Sequence, residues 1–277
     1  LGESAQFIVL MQDSLALELG LNIHGAALSS HIHSDGYKKS ISGPGAGNYL
    51  TVGKIFNEIK KHFSSDALNK TFFHAHGTST PQNRESESHI ISSISKAFGI
   101  EALPVTAIKS YLGHSLAAAG GDQMISTLGS WKNNLIPGIT STPKLAENVY
   151  KENVEFLLQN KKFEEDEFDF AVLNAKGFGG NNGTSLVASP AKTMKMLKSK
   201  YSKKDVQAYL MKKSKTDDQL SASKQEILQG DLKSRYIFGE GVIDGMNDFE
   251  IETDKITNKL NKEIFDLDST LPYKDYL

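Results

Sequence analysis

Cysteine is absent from the 277-residue chain. Within this chain there is therefore no disulfide, no thiolate metal site and no thiol nucleophile. Long hydrophobic runs are missing as well. None approaches the ~18–20 residues needed to span a bilayer, and no basic segment with an apolar signal core opens the sequence. There is no excess of one charge either: the formal net charge is −2, so no global field draws the chain toward nucleic acid or an anionic membrane. The default expectation is a cytoplasmic protein with no nucleic-acid partner and no membrane span. What is present is an ordinary globular composition, long enough for one large domain or a domain plus an appendage.

Up to residue 189 the patterning alternates. Gln6–Leu10 reads as a short strand running into a helix that stops at Gly20. Residues 23–33 are β-like, the glycine-rich stretch 42–48 is a loop, and 49–63 carry apolar side chains at helical spacing. "TFFHAH" (71–76) is a strand ending in a glycine turn. Residues 85–99 give a helix closed by Gly99, 104–110 a strand and 114–134 another helix. Residues 168–189 make a hairpin around a glycine-rich turn. Strands alternating with helices and closed by a hairpin predict an α/β layered domain. After Pro190 lysine, aspartate and serine dominate. A helical stretch over 191–213 and a polar link over 214–224 precede scattered apolar clusters at 234–243 and 264–277. This part reads as an extension packed on the domain or on a partner, or equally as a partly ordered tail.

Three places could carry chemistry. His76 lies where a strand gives way to a glycine turn, a frequent place for functional side chains in α/β proteins. His114 follows "KSYLG" and is read as opening a helix, whose N-terminal dipole disfavours imidazolium; Lys109 precedes it by five residues. "GFGGNNG" (177–183) offers several backbone N–H groups free of bulky neighbours, as an oxyanion hole requires. Each signal alone has a blander counterpart. A lone strand-end histidine is more often structural, and a glycine-rich hairpin turn needs no catalytic role. "GPGAGN" lacks the strand–loop–helix setting of a dinucleotide loop. His74 and His76 have no third partner for a metal, so no metal site is expected.

Taken together, "HAHGTSTP", "KSYLGHSLAAAG" and "GFGGNNG", in this order and spacing, resemble the second half of the elongating β-ketoacyl-acyl carrier protein synthases. "LGESAQFIVL" resembles the segment joining that family's two halves. The resemblance covers about residues 1–189. It implies an α/β chain forming the second half of a thiolase-like five-layer αβαβα fold, a mixed sheet covered by helices, with a partly helical C-terminal extension. The division it implies is 1–24 for the end of the first half, 25–189 for the second half and 190–277 for the extension. The implied reaction is a decarboxylative Claisen condensation of fatty-acid synthesis. A cysteine in the first half holds the acyl chain, and malonyl carrier protein loses CO₂ to give the attacking carbon.

By motif match, His76 and His114 are the two neutral donors that hold the developing enolate oxygen. Lys109 orients the site. Phe178 supplies a gating ring and an oxyanion N–H, flanked by Gly177 and Gly179. Thr78 and Thr80 bind the phosphopantetheine arm, and Glu87 is structural. No cofactor is implied beyond the phosphopantetheine of acyl carrier protein, which is a partner. The other expected partners are a cysteine-bearing first half, of which this chain is expected to be the complement, and a second copy in a homodimer. Three positions depart from the family pattern. Gln123 replaces a glutamate, which would remove an anionic partner of Lys109. Lys176 replaces a phenylalanine beside the gate, and Arg84 replaces an aspartate. A non-catalytic partner of the chain-length-factor type is the alternative reading; the intact histidines, lysine and gate argue against it. A thiolase is disfavoured because its second-half cysteine is missing.

Overall fold

In the computed structural model, which describes residues 1–36, 45–230 and 239–267, the chain forms two compact units, residues 1–219 and 220–277. The first contains α1 (Asp13–Leu19), β1 (Ala26–Ser34), α2 (Ala46–His62), α3 (Asp66–Asn69), β2 (Thr71–His74) and α4 (Pro81–Ala97). Next come β3 (Leu103–Thr106), α5 (Lys109–Leu112), α6 (Ala119–Asn133), β4 (Leu135–Ile136), β5 (Val154–Phe156) and β6 (Lys161–Lys162). The hairpin β7 (Phe170–Gly177) and β8 (Asn181–Ala188) is followed by α7 (Pro190–Lys200) and α8 (Lys203–Gln229).

Six strands form one mixed sheet in the order β1-β8-β7-β2-β3-β5. β7, β2, β3 and β5 run parallel, and β1–β8 and β8–β7 pair antiparallel. Strand side chains alternate between faces, and two cores result. Phe73, Phe170 and Val172 pack with Val52, Ile55 and Phe56 of α2 and with Ile90 and Ile91 of α4. Their neighbours Phe72, Ala171 and Leu173 pack on the other face, with Trp131 of α6. This is the expected mixed sheet covered by helices.

Several local expectations need correction. Residues 6–10 form no strand. Among the described residues no strand pairs with them, and Phe7, Val9 and Leu10 are more than 70% exposed, so the apolar alternation has no sheet to join. The polar link 214–224 is helical, inside α8, where no proline or glycine interrupts it. The helical stretch 191–213 is instead two helices, broken at Tyr201 and Ser202. Leu197 and Tyr209 pack with Leu17 of α1, and the Tyr209 hydroxyl donates to the Leu21 carbonyl at 3.0 Å. Of the glycine-rich loop, residues 42–44 lie outside the described residues, as do 234–238 and 268–277 of the later apolar clusters.

Residues 220–277 contain a three-stranded antiparallel sheet in the order β11-β10-β9: β9 (Phe249–Ile251), β10 (Lys255–Asn258) and β11 (Ile264–Asp266). Phe249 and Phe265 meet edge to face across it, 6.3 Å between ring centroids.

Candidate active site

The alternation that puts Phe72 on the α6 face continues past the end of β2. His74 and His76 follow on that face, and Ala75 returns to the α2–α4 core. His74 is a core histidine. Its Nε2 accepts the Ile108 N–H at 3.1 Å and its Nδ1 lies 3.3 Å from the Thr127 hydroxyl. Burial, reinforced by the Lys109 charge, pushes it down to about 3. No group of metal-ligating residues occurs among the described residues.

His76 is the side chain the turn presents. Gly77 has φ +56°, and a Cβ there would lie 2.5 Å from that of Ala107, so the chain can leave the strand beside β3 only through glycine. The His76 ring meets His114 edge to face, 5.3 Å between centroids and 87° between planes. Sequence separation between these residues is large; the parallel pairing of β2 with β3 is what brings them together. His114 does not open a helix. It sits after α5 and before a short 3₁₀ turn (Leu116–Ala118) that leads into α6. The helix-dipole argument for its neutrality therefore gives way to a local one. The Leu116 N–H donates to His114 Nδ1 at 3.1 Å, which places the proton of a neutral ring on Nε2.

Both rings favour the uncharged form. Burial pushes His76 down to about 4, against the pull of Glu87 and with help from Lys109, His114 and Lys176. Burial, then the Lys109 charge, lowers His114. The Nδ1 of His76 is buried without a partner.

The main chain around His76 is gripped from two sides. The buried Glu87 carboxylate accepts the N–H groups of His76 and Gly77 at 2.8 and 2.9 Å, and the amides of Asn83 and Asn174 at 3.0 and 2.8 Å. Burial alone would raise this carboxyl. The charge His76 carries once protonated at low pH, the Lys176 charge and the donated hydrogen bonds outweigh that and hold it below the usual glutamate value. On the other side Lys109 Nζ donates to the His76 carbonyl at 2.6 Å. Burial lowers the Lys109 ammonium against the pull of Glu87 and Asp122.

Gln123 does not face Lys109 as its family position suggested. Its amide donates to the carbonyls of Ala75, Asn174 and His74, at 2.8, 2.9 and 3.3 Å. Asp122, next to it, and Glu87 are the anions Lys109 feels. A carboxylate at position 123 would face three carbonyl oxygens. Gln123→Glu should therefore hold a carboxyl raised above the ordinary value. The variant should be least impaired at low pH and lose stability as pH rises from about 4.3, the unfolded value, toward the raised folded one. Thermal melts across pH 4–8 check this; a loss independent of pH would contradict it.

The remaining residues sit at the end of β7 and in the turns that follow β2 and β7. The Thr78 and Thr80 hydroxyls are 3.4 Å apart and exposed. Phe178 begins a 3₁₀ turn, Phe178–Gly180, between β7 and β8, with its ring 76% exposed. Gly177 closes β7, and Gly179 has φ +80°. The Asn181 amide donates to the Phe178 carbonyl at 3.0 Å.

Sequence reasoning missed Asn174, Asn83 and Asp122, and left Lys176 without a role. Asn174 and Lys176 had a readable signal, since polar side chains two apart on an apolar strand share the core-facing parity of Phe170 and Val172.

Comparison with known proteins shows what the chain is similar to. Residues 24–142 match the family model of the β-ketoacyl synthase C-terminal domain. The chain is 43% identical over 259 residues to the β-ketoacyl-[acyl-carrier-protein] synthase FabY of Pseudomonas aeruginosa, covering 93% of this chain and 40% of that protein. The crystal structure of P. aeruginosa FabY superposes with a TM-score of 0.84 at 39% identity, over 96% of this chain and 42% of that one. The 3-oxoacyl-[acyl-carrier-protein] synthase 2 of Vibrio harveyi is 27% identical over 188 residues, 66% of this chain and 42% of that protein. A β-ketoacyl synthase structure from Burkholderia phymatum shares the fold, with a TM-score of 0.52 at 22% identity over 64% of this chain and 40% of that one. The chain thus spans about two fifths of the length of these relatives. Residues 24–142 thus match the C-terminal domain of β-ketoacyl synthases, and most of the chain is similar to about two fifths of P. aeruginosa FabY.

Proposed function

We propose that this chain supplies the malonyl-handling half of a β-ketoacyl-acyl carrier protein synthase of fatty-acid synthesis. The nucleophilic cysteine comes from a further segment, since these 277 residues contain none and span about two fifths of their relatives. The observation that carries the reading is the facing pair His76 and His114, both held neutral. Loss of CO₂ from a malonyl thioester places negative charge on the thioester oxygen. Two uncharged N–H donors aimed at one point stabilise that charge without becoming acids strong enough to quench the carbanion.

The other residues take supporting parts. Lys109 fixes the His76 carbonyl and so the ring's orientation. Thr78 and Thr80 offer hydroxyls to the phosphopantetheine arm of acyl carrier protein, the substrate-bearing partner. The Phe178 N–H joins the cysteine's own in an oxyanion hole for acyl transfer, while its exposed ring swings to admit the chain. Glu87, Gln123, Gly177 and Gly179 shape the backbone around these groups. The chemistry calls for no metal and no other cofactor. The working protein is a cytoplasmic homodimer; no helix among the described residues is long and apolar enough to cross a membrane.

Mass spectrometry of the complete protein after incubation with acyl carrier substrate tests this assignment. The acyl group should be found on a cysteine outside these 277 residues, and acylation of a residue within them would overturn it. Phe178→Ala should slow acyl transfer more than malonyl decarboxylation; single-turnover assays of the two half-reactions separate the steps, and equal losses would refute the gating role.

A further inference from the structure

Asp122 takes no part in the chemistry above, yet it is only 6% exposed, on the first turn of α6. Its carboxylate is divided between two partners. One oxygen accepts the hydroxyl of Ser115, the residue directly after His114, and the other accepts the side-chain amide of Gln6. A carboxylate buried this far is retained where hydrogen bonds replace its lost hydration. Segment 1–6 grips the same loop a second time, because the Gly2 N–H donates to the His114 carbonyl at 3.0 Å. Gly121 leaves room for the Gln6 contact: a Cβ there would lie 2.5 Å from Gln6 Oε1.

What these bonds hold is an unfavourable turn. Leu116 stands at φ +58°, in the left-handed region that a non-glycine residue adopts only where its surroundings impose it. Leu116 is itself 57% exposed, so packing of its own side chain does not impose that conformation. In that turn the Leu116 N–H donates to His114 Nδ1 at 3.1 Å, the bond that leaves the ring's proton on Nε2. Ser115 lies between the two residues, tied to Asp122 by its hydroxyl.

We infer that Asp122 is a positioning residue for His114: by holding the Ser115 hydroxyl and the Gln6 amide it keeps the 114–116 turn in the conformation that selects the tautomer and direction of the His114 ring. The kinetic arm of the test rests on the proposed decarboxylation; the spectroscopic arm does not.

Asp122 also lies within the field of Lys109, so position has to be separated from charge. Asparagine makes that separation. Its oxygen accepts the Gln6 amide and its own amide donates to the Ser115 hydroxyl oxygen, with no charge. Spectra of ¹⁵N-histidine in the complete protein at pH 7, without substrate, read the turn directly. In Asp122→Ala the Leu116 N–H should leave Nδ1, and His114 should become a mixture of its two neutral tautomers. Asp122→Asn should keep the wild-type tautomer. A His114 spectrum unaltered in Asp122→Ala would overturn the inference. An Asp122→Asn spectrum as altered as that of Asp122→Ala would assign the effect to charge and overturn it as well. If Asp122→Ala does not fold, Ser115→Ala carries the same test, since it removes one hydroxyl only; an unaltered His114 tautomer there overturns the inference.

In the kinetic arm, Asp122→Ala should lower kcat for malonyl decarboxylation by about tenfold or more with little change in KM, and Asp122→Asn should restore most of that loss. An unchanged kcat in Asp122→Ala overturns the positioning role. A wild-type protein that fails to decarboxylate malonyl carrier protein would refute the proposed function and leave the spectra to decide on Asp122.

Discussion

Replacing His76 or His114 by alanine in the complete protein should slow malonyl decarboxylation by about 10²–10³-fold, the scale of losing one preorganised oxyanion donor. The expectation rests on what each ring does and does not bond. His76 has its main chain fixed by Glu87 and Lys109, while its Nδ1 has no protein partner. Truncating the ring removes no intramolecular hydrogen bond. His114 Nδ1 accepts the Leu116 N–H, so its remaining N–H is turned outward as a donor. Neither substitution should unfold the protein, and a melt within a few degrees of wild type separates lost chemistry from lost structure. The pH dependence has a definite sign. His76, at about 4, is neutral throughout the physiological range and His114 is held below the ordinary imidazole value, so the decarboxylation rate should hold as pH falls from 7 until the first of the two rings takes up a proton. Rates within tenfold of wild type in both alanine variants would contradict the assigned roles.

Glu87→Ala should cost about 3–5 kcal/mol of stability, the range for breaking a buried charged network from one side. It leaves the His76 and Gly77 N–H groups and the Asn83 and Asn174 amides without their acceptor. For a chain of this size that corresponds to a fall in Tm on the order of 6–20 °C. Calorimetry of the complete protein checks it, and a loss under 1 kcal/mol would mean that the network is solvated and contributes little. The same geometry gives the acid limit. The Glu87 contribution is complete above the unfolded value near 4.5 and disappears as pH falls through its lower folded value. Glu87→Gln should lack that component of the acid transition.

Much of this was legible in residue order because the fold is built from periodic strands and helices. "TFFHAH" reads as a strand, and β2 takes its first four residues; the hairpin signal over 168–189 matches β7 and β8. Two of the three motifs contribute His76 and His114, whose rings meet. What could not be read was environment. Gln6–Leu10 has strand-like composition, but a strand exists only where a neighbour accepts its hydrogen bonds, and sequence does not list neighbours. Apolar periodicity begins at His114, which reads as a helix start. The chain instead passes through Gly113 at φ +73° and a 3₁₀ turn before α6 begins. Gln123 was judged by the charge it lacks, whereas its amide is used for three hydrogen bonds that a carboxylate cannot donate. Lys176 and Asn174 carried the right parity for burial; what they meet across the core depends on the pairing of α4 with the sheet.

The most direct test follows the two rings themselves. With ¹⁵N-histidine in the complete protein, imidazole spectra recorded at pH 7 with and without a non-hydrolysable malonyl thioester analogue report charge, tautomer and contact. His76 and His114 should both be neutral, with the His114 proton on Nε2, and both should shift when the analogue binds. A charged ring at pH 7, or an analogue that moves only one of the pair, would contradict a site in which two uncharged imidazoles share one developing oxyanion.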